Sequence, residues 1–427
     1  MYRLNDIVNS FRGLVGWESE GESLSTDNTA SDSGLYFQEA HPLLTLRAIK
    51  GIMPEDYSER YETYSKTKTY SKGDRVRQYT SIVYISLVDD NKGNDVLEAD
   101  YWAEYDPLND YLSELTTRGI KKVATTFIRD KVIGMETKNI IDRRCLFDGT
   151  GRIDAKIPNS GKVVGFEITP LRAGGITTKI EKIGLQFYGN VGEVTMYLFH
   201  SSKREPVWTK TFNYTKDNGT FLWFDVEDTF LPYVNSEVNA GGSWYLVYNQ
   251  SELPSYMEGI NFGRDWSREP CGTCNKGDLA LWRLMTRYVE FSPFYVSVDN
   301  WDGQLWDIAN NIYTNTLNYG INVMFSVGCD LTDTMIASRL DFANAIQLQV
   351  ASDSLRTLAL NPEVSVNRVQ YNADRNNILY ETDGDGQGIK GLAGDLNRAF
   401  KALSFDMKGL DDICLACKSK GVKFGSI

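Results

Sequence analysis

The chain has 427 residues, a formal net charge of −12 and no clustered run of Lys and Arg, which argues against a phosphate-binding surface and a nucleic-acid-specific site. Its aromatic content of 12%, with 24 Tyr and 9 Trp, favours β-rich, contact-making surfaces. No stretch approaches the length of a transmembrane helix and no apolar signal core opens the sequence, so the expectation is a soluble protein made in a cytoplasm, without membrane insertion.

Leu4, Ile7, Val8, Phe11, Leu14 and Val15 recur at steps of three and four, the stripe of a short amphipathic helix. A helix this short is marginal alone in water and has to dock on something. Residues 18–34, rich in Glu, Ser, Thr, Asn and Asp, read as a flexible linker. Residues 1–34 are therefore expected to form a docking helix on a tether that reaches a neighbouring subunit, with folding back onto its own domain as the alternative.

Residues 35–150 read as a small β-module with short helices. The segment His41-Pro42-Leu43-Leu44-Thr45-Leu46 is extended and enters a short helix. In Tyr70-Ser71-Lys72-Gly73-Asp74-Arg75-Val76 the Gly-Asp pair is a turn signal, and Lys92-Gly93 is a second. Val76, Ile82, Tyr84 and Ser86 alternate as short strands do, and Tyr101-Trp102 gives the module an aromatic end. This pattern resembles the small β-modules of the chitin-binding carbohydrate-binding families, which attach and make no bonds. A structural hairpin with a packed Trp is the plain reading of the same residues. Together with the His-Pro-Leu-Leu-Thr-Leu segment, the module also resembles structural proteins of Bacteroidetes phages, including the crAss-like podoviruses, over the N-terminal part of the chain only. That resemblance implies an oligomeric virion component, a tail ring or head–tail connector. Its partners would be copies of itself in a ring, the portal, other tail ring proteins and the tail hub, and no catalytic residue is carried over.

Asp106-Pro107 then opens a mixed turn and helix punctuated by Tyr111, Leu112, Leu115, Ile120 and Val123. From residue 151 the period changes to two. Val164, Phe166 and Ile168 alternate, as do Ile183, Leu185 and Phe187; Val194, Met196 and Leu198; Leu222, Phe224 and Val226; and Trp244, Leu246 and Tyr248. Short alternating runs broken by glycine and asparagine specify an antiparallel sandwich or jelly roll over residues 151–328, finished by Phe291, Phe294, Tyr295 and Val296. Residues 329–427 read as helical. Asp330 caps, Asp333 suits the first turn, and Ile336, Leu340, Ala343, Ile346 and Val350 form a stripe. A second helix carries the heptad-type stripe Leu396, Phe400, Leu403, Met407, Leu410, Cys414 and Cys417, weakened by Gly409, which costs about 1 kcal/mol against alanine. The expected fold class is mainly β with α-helical termini: a β-sandwich, a small β-module and C-terminal helices.

Chemistry is sparse. Cys271 and Cys274 lie in a loop rich in Gly, Pro and Asp and are the weak candidates for a metal or a disulfide, whereas Cys414 and Cys417 read as small apolar members of the helix stripe. His41 and His200, the only two histidines, have no recognisable nucleophile or acid beside them. No phosphate loop or dinucleotide fingerprint occurs, and Asp383-Gly384-Asp385-Gly386 starts like a calcium loop but has Gly394 at the twelfth position instead of glutamate. The expected catalytic residues and cofactors are none.

Three functions fit these features. The leading one is a virion structural protein, a ring or connector subunit of a phage tail assembled in the host cytoplasm. Leu4, Ile7, Val8, Phe11, Leu14, Val15, Leu396, Phe400, Leu403, Met407 and Leu410 would be its interaction residues. The second is a glycan-binding protein, with Tyr101 and Trp102 as contacts and Trp208 and Trp223 as further platforms. The third is a polysaccharide hydrolase built on two carboxylates, for which Asp225 and Glu227 are the first pair to test.

Overall fold

A computed structural model describes residues 2–18, 31–78, 82–129, 139–148, 155–171, 174–189, 192–215, 221–235, 240–270, 278–297, 301–360, 391–404 and 414. The protein is mainly β, with many antiparallel sheets and with helices that include C-terminal ones. Its chain divides into two compact units, each built from separate stretches. The described residues between 133 and 333, with Arg3 and Cys414, form one unit, and those between 4 and 132 and between 334 and 406 form the other. The expected boundaries at 34, 150 and 328 are therefore crossed: strand Asn139–Cys145 belongs with the sheets that follow it.

In the first unit, a six-stranded antiparallel sheet runs in the spatial order Trp208–Tyr214, Gly192–His200, Trp244–Asn249, Val163–Pro170, Val289–Val296 and Ile312–Tyr313. A four-stranded sheet runs Leu222–Pro232, Ile176–Leu185, Ile321–Cys329 and Asn139–Cys145. Both sheets contribute to one core, in which Phe166, Leu246 and Phe291 from the first meet Ile180, Ile183, Val323 and Phe325 from the second. Phe291 and Phe325 approach at 5.1 Å between ring centres. The strands expected from period-two patterning are present, and Phe291, Phe294 and Val296 join the large sheet beside Val163–Pro170. Gly165 sits where that sheet is tightest: a Cβ there would stand 2.0 Å from the carbonyl oxygen of Leu246, so only glycine fits.

Arg264 is buried in this core with its guanidinium 4.6 Å from the ring centre of Trp266 and 4.7 Å from that of Trp282, and it donates to the Leu146 carbonyl at 3.2 Å. Burial alone pushes its pKa down to about 10, which leaves it charged at neutral pH, held by two indole faces instead of a carboxylate. Arg3 is held by carboxylates, Asp330 at 2.8 Å and Asp333 at 2.6 Å, and Asp330 also accepts from the backbone N–H of Thr332 at 2.9 Å, as a capping residue should.

Cys329 and Cys414 form a disulfide across a sequence separation of 85. This corrects the expectation that Cys414 is an apolar filler on a helix continuing to Cys417. Helix Gly391–Ala402 stops before Leu403, and Leu403–Ser404 are non-helical. Within the described part of the stripe, Leu403 is buried and Leu396 and Phe400 are half-buried; Met407, Leu410 and Cys417 lie outside the described residues.

In the second unit, the N-terminal stripe does form a helix, Leu4–Phe11. Its expected role as a free docking face is overturned. Ile7, Phe11 and Leu14 are 0% exposed, Val8 and Val15 are buried, and Leu4 is half-buried. The partner is internal: Phe11 packs on Phe342 at 5.2 Å, and Arg339 donates to the Ser10 carbonyl at 3.1 Å. The two ends of the expected tether are anchored, while residues 19–30 lie outside the described residues. Val15–Gly16 pairs in parallel with Leu35–Tyr36, and the Ser31 hydroxyl donates to the Leu14 carbonyl at 3.0 Å. An apolar stripe finds the nearest complementary surface, and here its own chain supplies it.

The long helix Leu108–Phe127 crosses helix Ala343–Leu360 closely enough that a Cβ on Gly119 would meet the Val350 Cγ2 methyl at 2.5 Å. Phe127 and Phe342 form an edge-to-face pair at 5.0 Å beside that crossing. The stripe expected over residues 336–350 holds from Ala343 onward, where Ala343, Ile346 and Val350 are buried. Leu340 falls in a short 3₁₀ turn and is 58% exposed, with Phe342 taking the inward place.

The small β-module pairs Glu62–Thr63, Arg75–Arg77, Val83–Ser86 and Trp102–Tyr105 in that order. Gly73 has φ +91°, the Asp74 carboxylate accepts from the Ser71 N–H at 2.8 Å, and the Gly73 N–H donates to the Ser86 carbonyl at 2.8 Å. The Gly-Asp signature is thus a turn in which one residue supplies the backbone angle and the other the cap.

Two stability outcomes follow from this packing. Phe11→Ala should lower unfolding free energy by about 3–5 kcal/mol, as for a buried aromatic and not for a surface docking residue, measured by urea denaturation. Gly119→Ala should destabilise although it raises helix propensity, and adding Val350→Ala should recover part of the loss. A more stable Gly119→Ala single variant would contradict the close crossing.

Candidate functional site

The residues expected to contact glycans do not form a platform. Trp102 is 2% exposed, edge-on to Tyr70 at 5.3 Å and to Tyr64 at 5.7 Å, with its indole N–H on the Asn94 carbonyl at 3.3 Å. The expectation of Trp102 as a contact is therefore corrected: it is the centre of the module's core, and burial decides against stacking on a sugar. Tyr101 beside it is 36% exposed, and Trp208 and Trp223 are half-buried. Asp225 is paired with Lys182 at 2.9 Å. His41 accepts from the Leu43 N–H at Nδ1 at 3.1 Å, and burial pushes its pKa down. His200 is buried and accepts from the Ser202 N–H at Nδ1 at 3.2 Å, a local turn bond. Cys271, Cys274 and the loop beginning at Asp383 lie outside the described residues. Among the described residues no group of three or more His, Cys, Asp or Glu is placed to hold a metal ion, and no helix is long and apolar enough to cross a membrane.

A concave surface lies in the second unit, a cleft of about 870 Å³ bordered by helix Leu108–Phe127, the 3₁₀ turn Glu55–Arg60 and the Val15–Trp17 segment. Asp110, Ser113, Glu114, Thr117, Arg118 and Lys121 succeed one another at steps of three, one, three, one and three along the helix, and all line the cleft. Arg12, Arg60 and Arg75 reach it from elsewhere in the chain, and the buried Trp17, Val15 and Tyr57 back its wall.

Two of these cations are consumed locally. Arg60 meets Glu114 at 3.2 Å and lies 4.5 Å over the Tyr57 ring. Arg75 meets Asp110 at 3.0 Å and lies 4.6 Å over the Tyr105 ring. Asp110 is saturated, since the Tyr61 hydroxyl donates to one oxygen at 2.6 Å and the Tyr105 hydroxyl to the other at 3.0 Å. Burial first, and then the bond to Asp110, pushes the Tyr61 phenol well above its ordinary range; burial and Glu114 do the same to Tyr57. Among the described residues no carboxylate pairs with Arg12, Arg118 or Lys121. Three cations that meet no carboxylate among the described residues are chemically suited to an anion. The cleft's helical face was visible as i, i+4 charges, but the arginines join it only through tertiary folding.

Comparison with protein-family models, curated proteins and solved structures finds no match to this chain.

The Tyr61–Asp110 bond carries a pH signature. A phenol whose pKa is higher folded than unfolded stabilises the fold fully below the unfolded value, and that contribution is lost as pH rises above it. The urea midpoint of the second unit should therefore fall as pH climbs past the ordinary tyrosine value of 10.0, and Tyr61→Phe should flatten that fall. An unchanged slope in the variant would remove Asp110 from its place as the anchor.

Proposed function

We infer that the protein is a virion structural component, an oligomeric ring or connector subunit of a bacteriophage tail that joins portal or neck to tail components. The observation that carries this reading is the state of the six-stranded sheet's two edges. The outer strands Trp208–Tyr214 and Ile312–Tyr313 each pair on one side only among the described residues. Val207 is 47% exposed beside the first, and Ile312 and Tyr313 are 49% and 52% exposed on the second. Unpaired edges with apolar side chains are what a protein usually blunts unless a neighbour covers them. Two different adhesive surfaces on one subunit are also what head-to-tail closure into a ring requires.

Other features support the same reading. The local resemblance of the Gly73-Asp74 module and the His41-Pro42 segment points to phage structural proteins. A disulfide is unusual in a reducing cytoplasm and ordinary on a particle that leaves it. The partners proposed are copies of the chain, the portal and neighbouring tail proteins, with assembly in the host cytoplasm.

Mass photometry and negative-stain imaging of the purified chain test this. Uniform closed rings, and the chain's presence in purified particles by mass spectrometry, are expected. Val207→Asp combined with Ile312→Asp should weaken association by about tenfold or more, a charge desolvated at an apolar contact costing at least 1.4 kcal/mol, while leaving β-rich circular dichroism intact. A chain that stays monomeric and is missing from particles would sink the reading.

A further inference from the structure

The second unit carries a projection that the cleft's chemistry matches. The loop Asn94 to Tyr101 presents Leu97 at 73% exposure, the highest among the described large apolar residues. It is held rigidly: Val96 is buried at 2%, the Asp95 N–H donates to the Glu98 carboxylate at 2.9 Å, and the Glu98 carbonyl accepts from the backbone N–H groups of Tyr101 and Trp102, each at 3.0 Å. A prearranged loop loses little freedom on binding. Around Leu97 stand three carboxylates. Asp95 is paired with Lys66 at 3.2 Å, whereas Glu98 and Asp100 are exposed and meet no cation among the described residues.

The cleft offers the converse: Arg12, Arg118 and Lys121, all exposed and meeting no carboxylate among the described residues. In a chain of net charge −12, a recess with unspent positive charge is the exception that a carboxylate-bearing partner would select. One copy cannot satisfy itself. Strand Trp102–Tyr105 separates the two features: its Trp102 end is bonded to the loop through the Glu98 carbonyl, and its Tyr105 end is bonded to Asp110 at the cleft. Three residue steps of strand hold them about 10 Å apart.

We propose that the Leu97 loop of one copy docks in the cleft of the next, with Glu98 and Asp100 facing Arg118, Lys121 and Arg12. The occupant is a second copy of this chain, and the contact is heterologous, the class that generates rings when its rotation closes. The proposal rests on the ring reading and adds the pair of surfaces that meet.

The test uses the full chain in sedimentation velocity across a concentration series. Arg118→Glu with Lys121→Glu should weaken association by roughly tenfold or more, and Glu98→Lys with Asp100→Lys should do the same. The variant carrying all four changes restores opposite charges across the junction and should associate again. All four positions are exposed, and circular dichroism checks that each variant is folded. If wild-type chains assemble and both double variants assemble equally well, the proposal falls and the ring reading stands. That outcome also covers the case in which the chain's own acidic residues 18–34 occupy the cleft. If the double variants dissociate but the quadruple variant does not recover, the two surfaces do not face each other and the proposal falls. If the wild-type chain is monomeric throughout and missing from particles, both fall together.

Discussion

The unit that bears the cleft depends on one close crossing of helices. Helix Leu108–Phe127 presents Gly119 to Val350, and no side chain larger than hydrogen fits at that point without displacement. A glycine in a helix interior costs about 1 kcal/mol against alanine, so the crossing has to return more than that through the contacts it permits. Phe342 shows what those are, since it touches both Phe127 and Phe11. The N-terminal helix, the long helix and the returning C-terminal segment thus share one aromatic centre. Stretches more than two hundred residues apart in sequence must meet before any of them is stable. Long-range closure of this kind makes folding of this unit a late, cooperative event rather than a local one.

The same helix sets the charge pattern of the cleft. Its inner face is spent on packing, and its outer face places charges at helical spacing. Asp110 and Glu114 are engaged by Arg75, Tyr105, Tyr61 and Arg60. What remains is positive charge that meets no carboxylate among the described residues. Such charge contributes little to stability and mainly governs which partner is steered in and in what orientation.

Much of the fold was legible where burial is one-sided. Strands such as Gly192–His200 keep one face inward and one outward, so period two survived in Val194, Met196 and Leu198. Strand Ile321–Cys329 is buried at nearly every position and lost that alternation, which is why it was submerged in a stretch of mixed loops. Asn139–Cys145, mostly exposed, had too little apolar character to register as a strand at all. The N-terminal stripe announced a helix correctly, but a stripe does not say what covers it, and Phe342 lies far down the chain. Trp102 shows the same limit: its residue type suits a sugar platform, and only its three-dimensional neighbours make it a core residue. Cysteine pairing at a separation of 85 has no local trace. The cleft was half legible, its helix face from spacing and its arginines not at all.

The Cys329–Cys414 bridge bears on how the molecule would survive damage. Between the two bonded cysteines, the described residues 334–360 and 391–404 make an excursion into the other unit. A protease cutting once anywhere inside that excursion produces two polypeptides that still travel as a single covalent object. Apart from the water that hydrolysis adds, the cut stays hidden on a non-reducing gel until a thiol is added. An intact backbone is thus not what keeps the two ends of this segment together, and a particle built from such subunits can be nicked without being unfastened.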